Sequence, residues 1–392
     1  MSSSTTRFPA GLYALALGGF GIGLTEFGVV GLLPPISAEF GVSAALSGVL
    51  VSGYAISVAV GAILLTALLA RFERRGVLLG LVVLFVLGNL LSALAPDFSI
   101  LLLGRLIAAL CHGAFFGVGA VVAADLVPVQ RRASAIALMF TGLTVANVLG
   151  VPFGTFLGQS FGWRSTFWAL TVIGILTLVG IRLLVRHTPA PHSERGILAG
   201  LRTLGRPVIL VSALVSIFTF GGLVGAYTYI AFTLTQVSGL PEASLPWMLL
   251  LFGLGSFIGN LIGGRLADRA LNRSLPIILA LLTLLLAGFA ASATIWWVAP
   301  IALFALGVIG FASAPGLQVR IMQLAPDAPT AASGANIAAL NIGNAIGAAI
   351  GGALLAAGFG ATAPVWTGSA LALLALITLV SATAFARRRL TP

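Results

Sequence analysis

Gly264-Arg265-Leu266-Ala267-Asp268-Arg269-Ala270-Leu271-Asn272-Arg273 is a short charged interlude between two apolar runs. It has a counterpart 198 residues earlier, in Thr66-Ala67-Leu68-Leu69-Ala70-Arg71-Phe72-Glu73-Arg74-Arg75. The same offset carries Leu126-Val127-Pro128 onto Leu324-Ala325-Pro326, and an offset of 197 carries Asn147, Gly150 and Gly154 onto Asn344, Gly347 and Gly351. Three matches in chain order at nearly one spacing read as a duplicated unit. Between these landmarks lie apolar stretches of the length that a membrane-spanning helix needs, about 20 residues.

Composition sets the surroundings of that unit. The chain of 392 residues is 59% hydrophobic and 7% charged, where a soluble domain carries about 25% charged residues. Nine acids and twenty arginines cannot cover a water-facing surface, so the apolar surface must meet lipid. The net charge of +11 is not gathered into a basic domain. Its arginines stand one to three at a time between apolar runs, which argues against a nucleic-acid partner. Cys111, the one cysteine, lies inside an apolar run, so neither a disulfide framework nor a thiolate metal site is expected. No Walker A sequence and no nucleophile constellation occur, which disfavours an ATP-driven pump and an enzyme, and no cofactor is expected.

Helices are predicted near 10–34, 45–69, 76–95, 98–123, 134–157 and 165–185, and again near 208–233, 245–264, 275–293, 298–319, 330–357 and 363–386. The fold class is thus all-α integral membrane, with twelve transmembrane helices in two pseudo-symmetric six-helix bundles. The bundles are 1–185 and 208–392, joined by a polar cytoplasmic linker over 186–207. Ala14-Leu15-Ala16 imitates a signal-peptide cleavage site, but too few apolar residues precede it, so the first helix is expected to stay attached. With both termini inside, eighteen of the twenty arginines fall on the inner side: Arg7, Arg71, Arg74, Arg75, Arg131, Arg132, Arg182, Arg186, Arg195, Arg202, Arg206, Arg265, Arg269, Arg273, Arg320 and Arg387 to Arg389. Arg164 is left outside and Arg105 lies within a helix, the asymmetry expected when cytoplasmic loops hold the positive charge.

Small residues recur every fourth position in helix 2 (Gly53, Ser57, Gly61), helix 5 (Gly142, Ala146, Gly150, Gly154, Gly158), helix 8 (Gly255, Gly259, Gly263) and helix 11 (Gly343, Gly347, Gly351). That spacing lets backbones approach closely. Its recurrence in every third helix predicts nested three-helix repeats, with the small faces meeting across the interface between the bundles.

These residues carry a family resemblance. Gly264 to Arg269, with Asp268 at its centre, resembles the inner-loop signature of the major facilitator superfamily. In the copy at 66–75, Ala70 replaces the Asp, and Thr66 and Glu73 stand where glycines are expected. Arg105-Leu106-Ile107-Ala108-Ala109-Leu110-Cys111-His112-Gly113 is similar to the superfamily's helix 4 pattern. Gly150-Val151-Pro152-Phe153-Gly154 looks like the antiporter motif of its drug:proton antiporter branch. Thr25-Glu26-Phe27, Gly31-Leu32-Leu33-Pro34 and Asn341-Ile342-Gly343-Asn344 resemble the sugar-efflux and chloramphenicol-exporter-like group. The resemblance implies alternating access by two halves, with helices 1, 4, 7 and 10 lining a cavity. It also implies gating roles for Arg71, Gly150, Pro152, Gly154, Gly264, Asp268 and Arg269. The expected partners are a small organic substrate, protons and membrane lipid. A monomer in a bacterial inner membrane is expected.

A carboxylate near the bilayer centre costs about 3 kcal/mol on insertion scales and marks an ion pathway by default. Glu26 is such a group. It lies about 12 Å, and Arg105 about 10 Å, from the outer ends of their helices at 1.5 Å per residue. Two readings of the pair stay open, a proton-coupling site and a structural ion pair that never titrates. His112 lies about 10 Å deeper on the face of Arg105, as a proton relay or as a hydrogen-bonded packing residue. The repeat equivalents of Glu26, Arg105 and His112 are Val224, Leu303 and Gly310, so ionisable chemistry is concentrated in the first half. Tyr227, Tyr229 and Phe232 form either an aromatic wall for substrate or a lipid-facing belt. Asn341 is a candidate substrate contact, and Asn147, Asn260, Asn341 and Asn344 are expected to bond between helices. The function expected is secondary active transport by proton-coupled efflux. Uptake by symport is the alternative, and a non-transporting receptor or intramembrane enzyme is the more distant one.

Overall fold

A computed structural model describes residues 8–69, 72–128, 131–186, 205–325 and 329–388. Arg71 and most of the linker lie outside the described residues, as does the side chain of Asp268. Twelve helices among the described residues are long and apolar enough to cross a membrane. They are α1 (Ala10–Phe40), α2 (Ala44–Ala62), α3 (Arg74–Ala93), α4 (Phe98–Asp125), α5 (Leu138–Phe161), α6 (Arg164–Leu184), α7 (Pro207–Thr228), α8 (Glu242–Ala267), α9 (Arg269–Ser292), α10 (Val298–Gln323), α11 (Gly334–Ala356) and α12 (Ala363–Thr383). Six pack as one bundle and six as the other. The end of the molecule where α1 begins and α12 finishes is called terminal below, and the opposite end distal.

Two boundaries differ from the sequence reading. The first helix does not stop near 34. Pro34 and Pro35 lack the amide donors that would complete an α-helical ladder to Val30 and Gly31, so Gly28–Leu32 tightens into a 3₁₀ turn. The chain then resumes as α-helix over Leu33–Phe40 and ends at Gly41, whose φ is +63°. The interlude between α8 and α9 is not a loop either. The helix runs through it, broken only at Ala270 (φ −156°, ψ 45°).

Within the bundles, the small-residue stripes do not do what their spacing predicted. Gly61 of α2 lies on the backbone of Leu110 in α4, and Gly142 of α5 on that of Ala16 in α1. Gly259 of α8 lies on Val308 in α10, and Gly347 of α11 on Gly221 in α7. Every stripe therefore faces a helix of its own bundle. The physical reason is that backbone-on-backbone packing is made once and kept, between helices that remain neighbours. The four pairs α1–α5, α4–α2, α7–α11 and α10–α8 interconvert when helix numbers shift by three or six, which is the nested repeat that the stripes foretold.

The bundles meet instead through α2 against α11 and α5 against α8. At the distal end Ile230–Phe232 packs on Gly28–Leu32 and Leu33–Phe40, and Gln159 Nε2 donates to the Glu242 carbonyl oxygen at 2.8 Å. Arg164, the lone arginine predicted outside, pairs there with Glu39, which also accepts from Trp163 Nε1 at 2.7 Å. At the terminal end three ties hold the first bundle. Arg74 meets Asp125 at 2.8 Å, Arg75 donates to the Arg182 carbonyl oxygen, and Glu73 caps α3 by accepting from the amides of Arg75 and Gly76.

Candidate functional site

The site begins at the point where α1 changes from α to 3₁₀ geometry. Thr25 and Glu26 stand three and two residues before Gly28; Thr25 is buried and Glu26 nearly so. Thr25 donates its hydroxyl to Asn89 Oδ1 of α3 at 2.9 Å, and Asn89 in turn donates to the Phe85 carbonyl oxygen.

Arg105 of α4 is 1% exposed, the largest of the fully buried side chains. It donates to the carbonyl oxygen of Thr25 and, from Nε and Nη2, to that of Leu50 at 3.4 Å. Its guanidinium lies over the ring of Tyr54, 4.3 Å from the centroid. A cation in a water-poor interior needs such oxygens and an aromatic face if no carboxylate neutralises it. Arg105 thus staples α1 and α2 at the place where α1 changes pitch.

The direct Glu26–Arg105 ion pair offered as one reading is not the contact formed. Glu26 Oε2 lies 4.0 Å from Nε2 of His112. Equal depth of two Cα atoms is a poor guide on antiparallel helices, because each side chain leans toward the N-terminus of its own helix. Glu26 leans to the terminal end and meets His112, while Arg105 leans to the distal end and meets Thr25 and Leu50. Tyr54 spans the gap, with its hydroxyl 3.5 Å from Nδ1 of His112. Glu26, His112, Tyr54 and Arg105 therefore form one chain of contacts across α1, α2 and α4.

Glu26 and Tyr54 also line a small cavity of about 10 Å³, room for a water molecule, that reaches across the bundle interface to Val224 of α7 and Asn344 of α11; the remaining lining is apolar. Asn344 Oδ1 is buried without a hydrogen-bond partner, as are Asn341 Oδ1 and Asn147 Oδ1. Asn341 spends its amide on the Ile337 carbonyl oxygen of its own helix. The expectation that these asparagines bond between helices therefore fails for their carbonyl oxygens, and Asn260 is exposed. The described asparagines that do bond between helices are Asn89 and Asn336. The latter accepts from Ser216 at 2.6 Å and donates to Gln318 at 2.7 Å.

Of the two readings of the aromatic group, the lipid-facing belt is excluded: Tyr227, Tyr229 and Phe232 are all buried. Tyr227 stacks on Phe252 at 4.0 Å and presents its edge to Phe27, the neighbour of Glu26. Tyr229 donates to the Ala348 carbonyl oxygen at 2.9 Å, and Phe232 belongs to the segment packed on the distal part of α1. The other reading, an aromatic wall, has all three beside substrate; of them Tyr227 meets Phe27, which lines the cavity.

Gly150, Pro152 and Gly154 stand where α5 passes from a π turn, Ala146–Gly150, into α-helix. Pro152 lacks an amide to continue the ladder, and such bulges are common at functional positions. Gly150 and Gly154 face Phe20 and Leu24 of α1, and Gly253 of α8 docks on the Asn147 carbonyl of the same turn. Gly264 has open space around it and Arg269 is exposed, at the break between α8 and α9. Tyr54 and Thr25 were missed. One of only four tyrosines, set beside Gly53 in a small-residue stripe, was the available signal for Tyr54.

The profile of the Major Facilitator Superfamily matches residues 15–337 and 239–392. Inner membrane transport protein YdhP of Escherichia coli (strain K12) is 42% identical over 366 residues, covering 93% of this chain and 94% of that protein. A chloramphenicol resistance protein of Streptomyces lividans is 34% identical over 376 residues, covering 94% and 95%. Among solved structures, the inward-facing, unoccupied form of a bacterial homolog to the human lysosomal transporter Spinster superposes with a TM-score of 0.69. It is 19% identical and the match covers 96% of this chain and 95% of that one.

Proposed function

Since this chain belongs to the Major Facilitator Superfamily, and is a membrane transporter rather than an enzyme, we propose that it exports small organic molecules in exchange for protons. The observation that carries the reading is Glu26. It is a carboxyl group lining the cavity between the bundles, and the basic side chain it meets is His112, 4.0 Å away. A carboxyl group in that place binds a proton from one side and releases it when substrate arrives from the other. Names of relatives that mention chloramphenicol resistance support the outward direction and small amphipathic substrates.

The halves are residues 1–185 and 208–392, with 186–207 as a cytoplasmic linker and both termini in the cytoplasm of a bacterial cell. In that orientation the distal contacts close the cavity to the outside. Arg71, Asp268 and Arg269 act at the terminal-end gate, and Asn341 and Tyr227 flank substrate. The chain works as a monomer, one alternating-access unit per polypeptide. One proton crossing 100 mV releases about 2.3 kcal/mol, which supports roughly a fiftyfold gradient at 1.4 kcal/mol per tenfold.

Purified protein reconstituted into liposomes tests this, with chloramphenicol as first probe and a panel of thiogalactosides and lipophilic amines beside it. Acid-inside vesicles holding the transporter in inside-out orientation should accumulate a substrate and lose their pH gradient as they do so. Glu26→Gln keeps the volume but cannot titrate, and should abolish the pH-driven accumulation while leaving substrate exchange. Accumulation only in right-side-out vesicles with protons outside would replace export by symport. Full pH-driven accumulation in Glu26→Gln would remove Glu26 from coupling.

A further inference from the structure

We propose that Tyr54 is a positioning residue for proton exchange at Glu26, acting through the ring of His112. This rests on the reading of Glu26 as the exchanging group. Tyr54 touches the three things that such a role requires. Its ring face covers the guanidinium of Arg105 at 4.3 Å, its hydroxyl reaches Nδ1 of His112 at 3.5 Å, and its side chain lines the cavity that Glu26 lines. His112 is fixed from its other face by Phe116, whose ring lies 5.4 Å away.

The consequence follows from the two ring nitrogens. Neutral imidazole carries one N–H, and the partner of the other nitrogen decides which one it is. A tyrosine hydroxyl that donates to Nδ1 leaves the proton on Nε2, facing Glu26 Oε2. From there a small side-chain rotation closes the 4.0 Å gap to a hydrogen bond that the carboxylate accepts. A carboxyl group that still holds its proton finds no acceptor on that nitrogen. The Tyr54–His112 contact therefore favours Glu26 in its released form. An occupant of the cavity that pushes on Tyr54 alters that preference without touching Glu26.

Among the described residues no other charge acts on Tyr54. The titratable groups packed around Tyr54 and His112 are Glu26 from α1 and Arg105 and Cys111 from α4. Cys111 donates its thiol to the Ala108 carbonyl oxygen at 3.1 Å. From across the interface α7 and α11 bring Val224 and Asn344 to the cavity, while the hydroxyl-bearing ring of Tyr227 is held between Phe27 and Phe252.

The test needs no substrate. The carbonyl band of the protonated Glu26 carboxyl group is followed by infrared pH-difference spectroscopy on the whole protein in lipid, and identified by its loss in Glu26→Gln. Tyr54→Phe keeps the ring over Arg105 and removes only the hydroxyl. It should move the pH at which the band is half-lost upward by roughly half a unit or more. In a His112→Gln background Tyr54→Phe should move it no further, because the coupling passes through the imidazole. An unchanged midpoint in Tyr54→Phe, with the band still assigned to Glu26, would overturn the inference and leave the proposed exporter intact. A titration with no band sensitive to Glu26→Gln would instead overturn the role of Glu26, and the inference with it. Should Tyr54→Phe not fold, Tyr54→Trp, which retains an aromatic face but places its donor elsewhere, serves the same comparison.

Discussion

The phenol of Tyr229, on the chain just past α7, fills the space that a side chain at Gly48, at the start of α2, would occupy. The two residues belong to different bundles, so Gly48 is the notch and Tyr229 the knob of a distal closure. The hydroxyl is held in place by the Ala348 carbonyl oxygen at 2.9 Å. Gly48→Ala should therefore push the bundles apart at this end, since overpacking costs about 1–3 kcal/mol and about 1.4 kcal/mol shifts a conformational ratio tenfold. Spin labels at Phe161 and Trp247, both exposed and on opposite bundles, should report a longer distance in Gly48→Ala. Tyr229→Ala in the same chain should restore the shorter one. Unchanged distances in Gly48→Ala would show that the notch is not the closure.

A second expectation separates glycines that look alike in sequence. Gly259 of α8 meets the backbone of Val308, whereas Gly264, in the inner-loop signature, meets nothing. Gly259→Ala has no flexible side chain to displace and must move a helix, so it should lower the thermal unfolding midpoint of detergent-solubilised protein, by the equivalent of about 1–3 kcal/mol. Gly264→Ala should leave that midpoint unchanged. If both variants unfold together, close helix contact is not what the stripe supplies.

How much of this was legible in the sequence depended on the range of the interaction. Lipid-facing composition, helix length and the 198-residue repeat are properties of the chain itself, and the twelve helices followed from them. The partner of each glycine stripe was not legible, because Gly259 carries a small face whether it meets α10 or the other bundle. The Glu26–Arg105 pair failed for a related reason: depth along a helix was counted at Cα, and the opposite lean of side chains on antiparallel helices was left out. Burial of Tyr227, Tyr229 and Phe232 could not be separated from a lipid-facing belt, since both environments select aromatic residues. Tyr54 offered only its rarity and its place beside Gly53 as a signal, because the groups it meets, His112 and Arg105, lie on another helix.

Orientation in the membrane is open to direct measurement. In a chain with Cys111 replaced by Ser, single cysteines at Ser193 and at Ser244 lie on opposite sides if the termini are cytoplasmic. Ser193 falls outside the described residues, and Ser244 stands in the first turn of α8 at the distal end. An impermeant maleimide added to intact cells should label position 244 only. Labelling at 193 without permeabilisation would reverse the orientation, and with it the side to which the distal closure belongs.

Arg105 gives the sharpest contrast between holding the fold and exchanging protons. Its donors satisfy the carbonyl oxygens of Thr25 and Leu50 on two helices at once. Removing them breaks charge-assisted hydrogen bonds between helices, each worth about 1.5–3 kcal/mol. Arg105→Met should therefore lower the thermal unfolding midpoint of the purified protein markedly, with the buried aromatic face of Tyr54 also losing its cation. Arg105→Lys should recover little of it, because a single ammonium group cannot reach both carbonyl oxygens as the planar guanidinium does. Glu26→Gln should unfold near the wild-type midpoint, since Glu26 makes no ion pair closer than its 4.0 Å contact with His112. The comparison is one thermal scan per variant, read by aggregation on size-exclusion chromatography. If Arg105→Met proves as stable as Glu26→Gln, the staple between α1 and α2 is not what Arg105 provides, and its place in the cavity's chemistry has to be sought at Glu26 after all.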